Sequence, residues 1–175
     1  MKPKLFIIIF ALVLVFMDTS QAQIRRRPGP PRRQNIPAQY RQQEMLGLFG
    51  GYNTDTEQYL IGAHFWLPAG VFWSLVPGFN YQLPGNGSDM DRWQFNGDLV
   101  FKPRPKGVFY FGGGVAMDYL SPDQGASDTR FGGSALTGLL FGGKRSPIKI
   151  FVQGRWTFMD DTEFGVTTGV NLVLR

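Results

Sequence analysis

His64, Ser74 and Asp98 are the residue types that cooperate in acyl transfer, where a histidine takes the serine proton and a carboxylate holds the ring. Each lies in a stretch of alternating residues and has the polar parity of that stretch. A register with Leu67 opposite Val71 would put His64 opposite Ser74, with Asp98 at similar depth on a third stretch. No cleft or oxyanion donor accompanies the set, and chance neighbours on a polar face are commoner than catalysis, so no catalytic residue is assigned. The same parity collects Gln94, Asn96, Gln153, Arg155 and Asn171, together with Asn80, Gln82, Lys149, Thr157 and Thr167. Buried charges must pair, so Asp98 is expected to meet Arg155. A single histidine and no cysteine leave no metal-ligand cluster, and neither metal nor cofactor is expected. Gly112-Gly-Gly114, Gly132-Gly133 and Gly142-Gly143 lack a following Lys-Ser/Thr and open no helix. They read as sites of close strand packing, not phosphate loops.

The elements that carry these residues are strands. In Val71–Tyr81, Trp93–Phe101 and Ile148–Phe158 one parity is almost wholly apolar, and the other carries Ser, Asn, Gln, Asp, Lys or Arg. Successive strand residues point to opposite faces, so each stretch has a greasy and a polar side. Eight strands are expected, at 46–53, 57–66, 71–82, 92–102, 107–119, 130–143, 147–158 and 162–174. Connections after odd-numbered strands are acidic, with Asp55, Glu57, Asp89, Asp91, Asp118, Asp123, Asp128, Asp160, Asp161 and Glu163 in them or on the flanking strand ends. Those after strands four and six, with their flanking strand ends, are basic, with Lys102, Arg104, Lys106, Lys144, Arg145 and Lys149. In an up-and-down barrel the two sets lie at opposite ends. The apolar parity holds no Asp, Glu, Lys or Arg in strands two to five, seven and eight, as a lipid-facing surface requires. The glycine-rich first and sixth strands leave their parity open.

The leading residues have another task. Lys2 and Lys4 precede an apolar run from Leu5 to Phe16, and Ser20-Gln21-Ala22 has the small residues of a signal-peptidase site. Twelve apolar residues are too few for a lone transmembrane helix, which needs about 20. Residues 1–22 are therefore expected to be a signal peptide. Residues 23–45 hold six arginines, among them Arg25, Arg26, Arg27, Arg32 and Arg33, against one glutamate. Proline and repelling arginines predict an extended, disordered arm, a linker at its simplest and an anion-binding arm at its most specific. Residues 46–175 carry ten Lys/Arg against eleven Asp/Glu, so the basic balance belongs to the arm and nucleic acid is not an expected partner.

The signal peptide and the eight hairpin strands resemble the small OmpA/OmpX-type outer-membrane barrels over residues 46–175. That family usually ends on an aromatic residue, whereas this chain reads Asn171-Leu-Val-Leu-Arg175. The expectation is an all-β fold: an eight-stranded antiparallel up-and-down transmembrane β-barrel, with a disordered N-terminal arm. An eight-stranded barrel is just wide enough for side chains to fill it, so a plugged polar lumen is expected. The expected role is structural, adhesive or partner-binding, as a monomer in the outer membrane with both termini periplasmic. Partners would be outer-membrane lipids and, through the arm, an acidic periplasmic partner or cell-wall polymer. The rivals are a narrow porin-like channel, a lipid-modifying enzyme and a secreted lipocalin-like carrier, the last of which should be apolar inside and polar outside.

Overall fold

Alternation becomes a closed sheet in the computed structural model, which describes residues 42–84, 90–104, 107–122, 127–143 and 146–174. The expected signal segment and all six arginines of the expected arm lie outside these residues. The strands are β1 (Met45–Asn53), β2 (Gln58–Pro68), β3 (Trp73–Gln82), β4 (Met90–Phe101), β5 (Phe109–Pro122), β6 (Asp128–Phe141), β7 (Ile148–Phe158) and β8 (Thr162–Val173). Each pairs antiparallel with its neighbour in sequence, and β1 pairs with β8 to close the barrel. Closure satisfies every edge, which a sheet in lipid requires. The connections after β1, β3, β5 and β7 form the loop end, and the remaining connections with residues 42–44 and 174 form the terminal end.

Two boundaries move in an informative way. The β4–β5 hairpin runs further than expected, pairing Met90 with Pro122 and Asp91 with Ser121. Its ladder outlasts the apolar pattern because backbone pairing does not require a greasy face once a strand is in water. At the other end, β2 and β3 are joined by a four-residue turn, closed by the Ala69 amide donating to Trp73 O at 3.0 Å. Gly70 sits in it at φ 154°, a conformation side chains rarely adopt. The turn lies two positions further along the chain than expected, so Leu67 faces Leu75 and His64 faces Gly78. The expected opposition of His64 and Ser74 is thereby corrected: Ser74 lies opposite Pro68.

The sidedness of β1 and β6, open from sequence, is settled by burial. Met45 and Asn53 point in while Leu48 and Tyr52 point out, and Ser134, Leu136 and Leu140 point in while Phe131, Leu139 and Phe141 point out. Gly47 shows why β1 needs glycine on its inner face. It is paired with both His64 and Asn171, and a Cβ there would overlap the imidazole and the amide.

Candidate functional site

The exterior is a surface of exposed apolar side chains, including Ile61, Leu75, Leu99, Val115, Ile150, Val152 and Val170. Aromatic rings cluster at both of its margins. Toward the loop end Tyr52 meets Tyr59 with ring centroids 5.2 Å apart, Tyr81 meets Trp93 at 4.5 Å and Trp156 meets Phe164 at 4.7 Å. Toward the terminal end Trp73 meets Phe101 at 4.8 Å, and Phe101 meets Phe111 at 5.4 Å. Between these belts no outward-facing described residue is charged. Asp91 lies beyond Trp93 and accepts a 2.6 Å hydrogen bond from the Tyr81 hydroxyl. Such a surface, unusual in water, suits a bilayer with aromatic rings at its interfaces.

Inside, the loop-side half is polar. Arg155 Nη2 lies 2.5 Å from Asp98 Oδ2, and its Nη1 donates to Asp98 Oδ1 at 3.2 Å and to Asn96 Oδ1 at 3.0 Å. Ser134 Oγ donates to Asp98 Oδ1 at 2.7 Å, so a carboxylate only 1% exposed is held by three donors. Asn80 donates to Gln94 Oε1 at 2.9 Å. Gln153 accepts from the Tyr110 hydroxyl at 3.2 Å. A second charged cluster spans the lumen above them. Arg92 pairs with Asp118 through Nε at 2.7 Å and through Nη2, and with Glu163 through Nη1 at 2.8 Å. Asn53 ties Glu163 to β1 with a 2.8 Å bond. Between the two clusters lies a cavity of about 40 Å³, lined by Asn53, Asn80, Gln82, Gln94, Arg155 and Glu163 among others. At roughly 10–15 Å³ per water it has room for about three.

The terminal-side half is different. Met45, Trp66, Val76, Val100, Tyr110, Leu136, Leu140 and Phe151 form one buried apolar cluster, with Phe49 and Val173 packed against it. The expected polar filling thus applies to only one half of the lumen. These residues have the inner parity, but their neighbours are also apolar, which hides the alternation. Below the cluster the Lys102 ammonium lies 4.8 Å from the Trp66 ring centroid. Burial, with a smaller contribution from Lys149, pushes its pKa down to about 8.

His64, Ser74 and Asp98 go to three separate places. His64 Nε2 is 2.7 Å from Asn171 Oδ1 and 3.1 Å from the Trp66 indole nitrogen. The first bond needs a proton on Nε2 and the second a bare lone pair, so the two compete. Its ring stacks on Phe49 at 5.3 Å and packs by Phe151 at 5.0 Å, as a core histidine does. Ser74 Oγ donates to Gln42 Oε1 at 2.5 Å. With Asp98 engaged by Arg155, neither a serine–histidine nor a histidine–carboxylate bond exists for nucleophile activation. Sequence reasoning missed Arg92 and the inward aim of Asp118, Glu163 and Lys102, which it counted with the charged ends. Parity held the signal: 92 and 102 continue the inward series 94, 96, 98 and 100 of β4.

No family model matches the chain, and no curated protein matches it in sequence. Solved structures do match its shape. The N-terminal β-barrel domain of OprF from Pseudomonas aeruginosa aligns with a TM-score of 0.63 at 12% identity, over 75% of this chain and 96% of that one. The fold is thus similar to that of a natural β-barrel domain. A de novo designed transmembrane β-barrel aligns at a TM-score of 0.51 and 16% identity, over 75% of this chain and 95% of that one. A sequence designed without ancestry shares the architecture, so pattern and closure are sufficient to account for the likeness.

Proposed function

We propose that the protein is an integral outer-membrane β-barrel with a structural, adhesive or partner-binding role and no catalytic function. The observation that carries the reading is the charge-free apolar exterior between two aromatic belts, wrapped around a lumen filled by side chains. Lipid is the solvent such a surface fits, and the resemblance to the OprF barrel supports the same setting. The apolar cluster of Trp66, Tyr110, Phe151 and their neighbours opposes ion passage, which favours this role over a narrow channel. An apolar exterior around a half-polar lumen reverses the lipocalin pattern. A lipid-modifying enzyme finds no support in the dispersed positions of His64, Ser74 and Asp98.

Outer-membrane barrels have short periplasmic turns and longer external loops. On that rule the acidic loop end faces outward and the terminal end faces the periplasm. The arginine arm would then offer its cations to acidic periplasmic polymer or protein, and the barrel would act as a monomer. Single cysteines at Ser127 and Ser146 test the placement. Ser127→Cys should react with an impermeant thiol reagent on intact cells and Ser146→Cys only after lysis. The reverse pattern would overturn the orientation, and extraction of the protein without detergent would overturn the membrane reading.

A further inference from the structure

Lys102 is a buried ammonium without a carboxylate partner among the described residues. It directly follows β4 with that strand's inward parity, its residue is 6% exposed, and no described acid forms an ion pair with it. The Trp66 ring face offsets only part of the cost of burying a charge. Lys149, on β7, reaches the same mouth and donates to Gln43 Oε1 at 2.8 Å. Its charge repels that of Lys102. Gln42 donates to Val71 O at 2.9 Å and accepts from Ser74 Oγ at 2.5 Å. Two neighbouring glutamines thus hold the segment before β1 between β3 and β7. Arg104 adds a third cation on the adjoining turn, and Glu44, the one acid in the 42–44 segment, is exposed and unpaired among the described residues. The mouth therefore holds two inward ammonium groups with neutral amides around them and, among the described residues, no paired counter-charge.

We propose that the terminal mouth is a binding site for a phosphomonoester anion, gripped by Lys102 and Lys149 with Arg104 at its rim. Charge count selects the ligand: two inward cations match the ~1.5–2 negative charges of a phosphomonoester better than the single charge of a carboxylate. Lysine holds phosphate as a point charge and needs no planar fork. The same anion could reach the mouth free in solution or as a lipid headgroup. Affinity falls as pH rises through about 8, where Lys102 loses its proton. The other groups facing Lys102 do not reverse this. Lys149 is the second cation, Trp66 does not titrate, and the Tyr110 hydroxyl is bonded to Gln153.

The test uses the purified barrel in phosphatidylcholine nanodiscs, followed through the Trp66 indole NMR resonance. Inorganic phosphate at pH 7 should shift that resonance saturably, and chloride at equal ionic strength should not. The variant Lys102→Met with Lys149→Met should bind at least tenfold more weakly. Lys102→Gln serves if the double variant does not fold. At pH 9.5 the native protein should lose binding, whereas Lys102→Arg, which stays charged, should keep it. A shift produced only by nanodiscs containing phosphatidic acid would support the site and assign its ligand to a lipid. No shift with either source, an equal response to chloride, or undiminished binding after removal of both lysines would overturn the proposal.

Discussion

Removing the carboxylate of Asp98 is the sharpest perturbation of the lumen. Asp98 is 1% exposed and receives two bonds from Arg155 and one from Ser134, while the Arg155 side chain is 15% exposed. In Asp98→Leu the guanidinium keeps its charge and retains one neutral acceptor, Asn96 Oδ1 at 3.0 Å. Breaking a buried pair from one side costs about 3–5 kcal/mol, because the remaining charge stays buried. The adjoining 40 Å³ polar cavity lets solvent reach the arginine, which places the expected loss near the lower figure, about 3 kcal/mol. Arg155→Met should cost a similar amount by stranding the carboxylate. Asp98→Leu with Arg155→Met removes both charges, so much of the loss should return, with a coupling of roughly 2–3 kcal/mol. Reversible urea unfolding in lipid vesicles, followed by tryptophan fluorescence, measures all four corners of the cycle. Single losses below about 1 kcal/mol, or losses that add, would refute the claim that this pair neutralises the core. Planar-bilayer recording on the same proteins should show negligible conductance throughout. A steady current that changes with charge at 98 or 155 would make the channel reading lead.

Arginine at Val152, outward between the belts, should cost about 2–4 kcal/mol in lipid and arginine at the inward Gln153 less; equal tolerance would contradict the lipid-facing assignment. Lys102 is protonated in the unfolded chain up to about pH 10.5 but in the folded one only to about 8, so the unfolded state binds more protons in that interval. Stability should therefore rise from pH 8 to 10.5, by about 3 kcal/mol at most, and Lys102→Met should flatten the rise in pH-dependent unfolding. Phe151→Ala, at a site 1% exposed, should cost about 3–5 kcal/mol of unfolding free energy; Phe158→Ala, on the lipid side, should cost much less. Gly47→Val should displace His64 and Asn171 and shift the His64 ring resonances, whereas Gly143→Val, on the terminal-end connection, should leave them in place.

What could be read from the sequence was whatever period two encodes. In β3 and β7 an apolar parity faces out and a polar one faces in, so strand, sidedness and the Asp98–Arg155 encounter followed from counting. Near Leu99-Val-Phe101 both parities are apolar, since Val100 packs into the core while Leu99 and Phe101 face outward. There alternation vanishes, and with it any sign that half the lumen is dry. The β2–β3 register depended on where the turn sits, and moving it by two positions slides each partner by four residues, which keeps every side chain on its own face, so the pattern could not detect it. Arg92 meets Asp118 on the adjacent strand β5, but it meets Glu163 only because closure brings β8 around to face β4, a contact of 71 positions in sequence. Nothing local announces it.

The apolar cluster occupies one half of the lumen, and this makes the barrel electrically lopsided. A voltage applied across a bilayer falls mainly where the dielectric constant is lowest, and here that is the thin layer around Trp66, Tyr110 and Phe151. Asp98, Arg155, Arg92, Asp118 and Glu163 all lie on its loop side, around a polar cavity. These charges sense little of the field and contribute little gating current. A solute small enough to slip past Arg92 would enter a dead end, and would have to leave by the way it came.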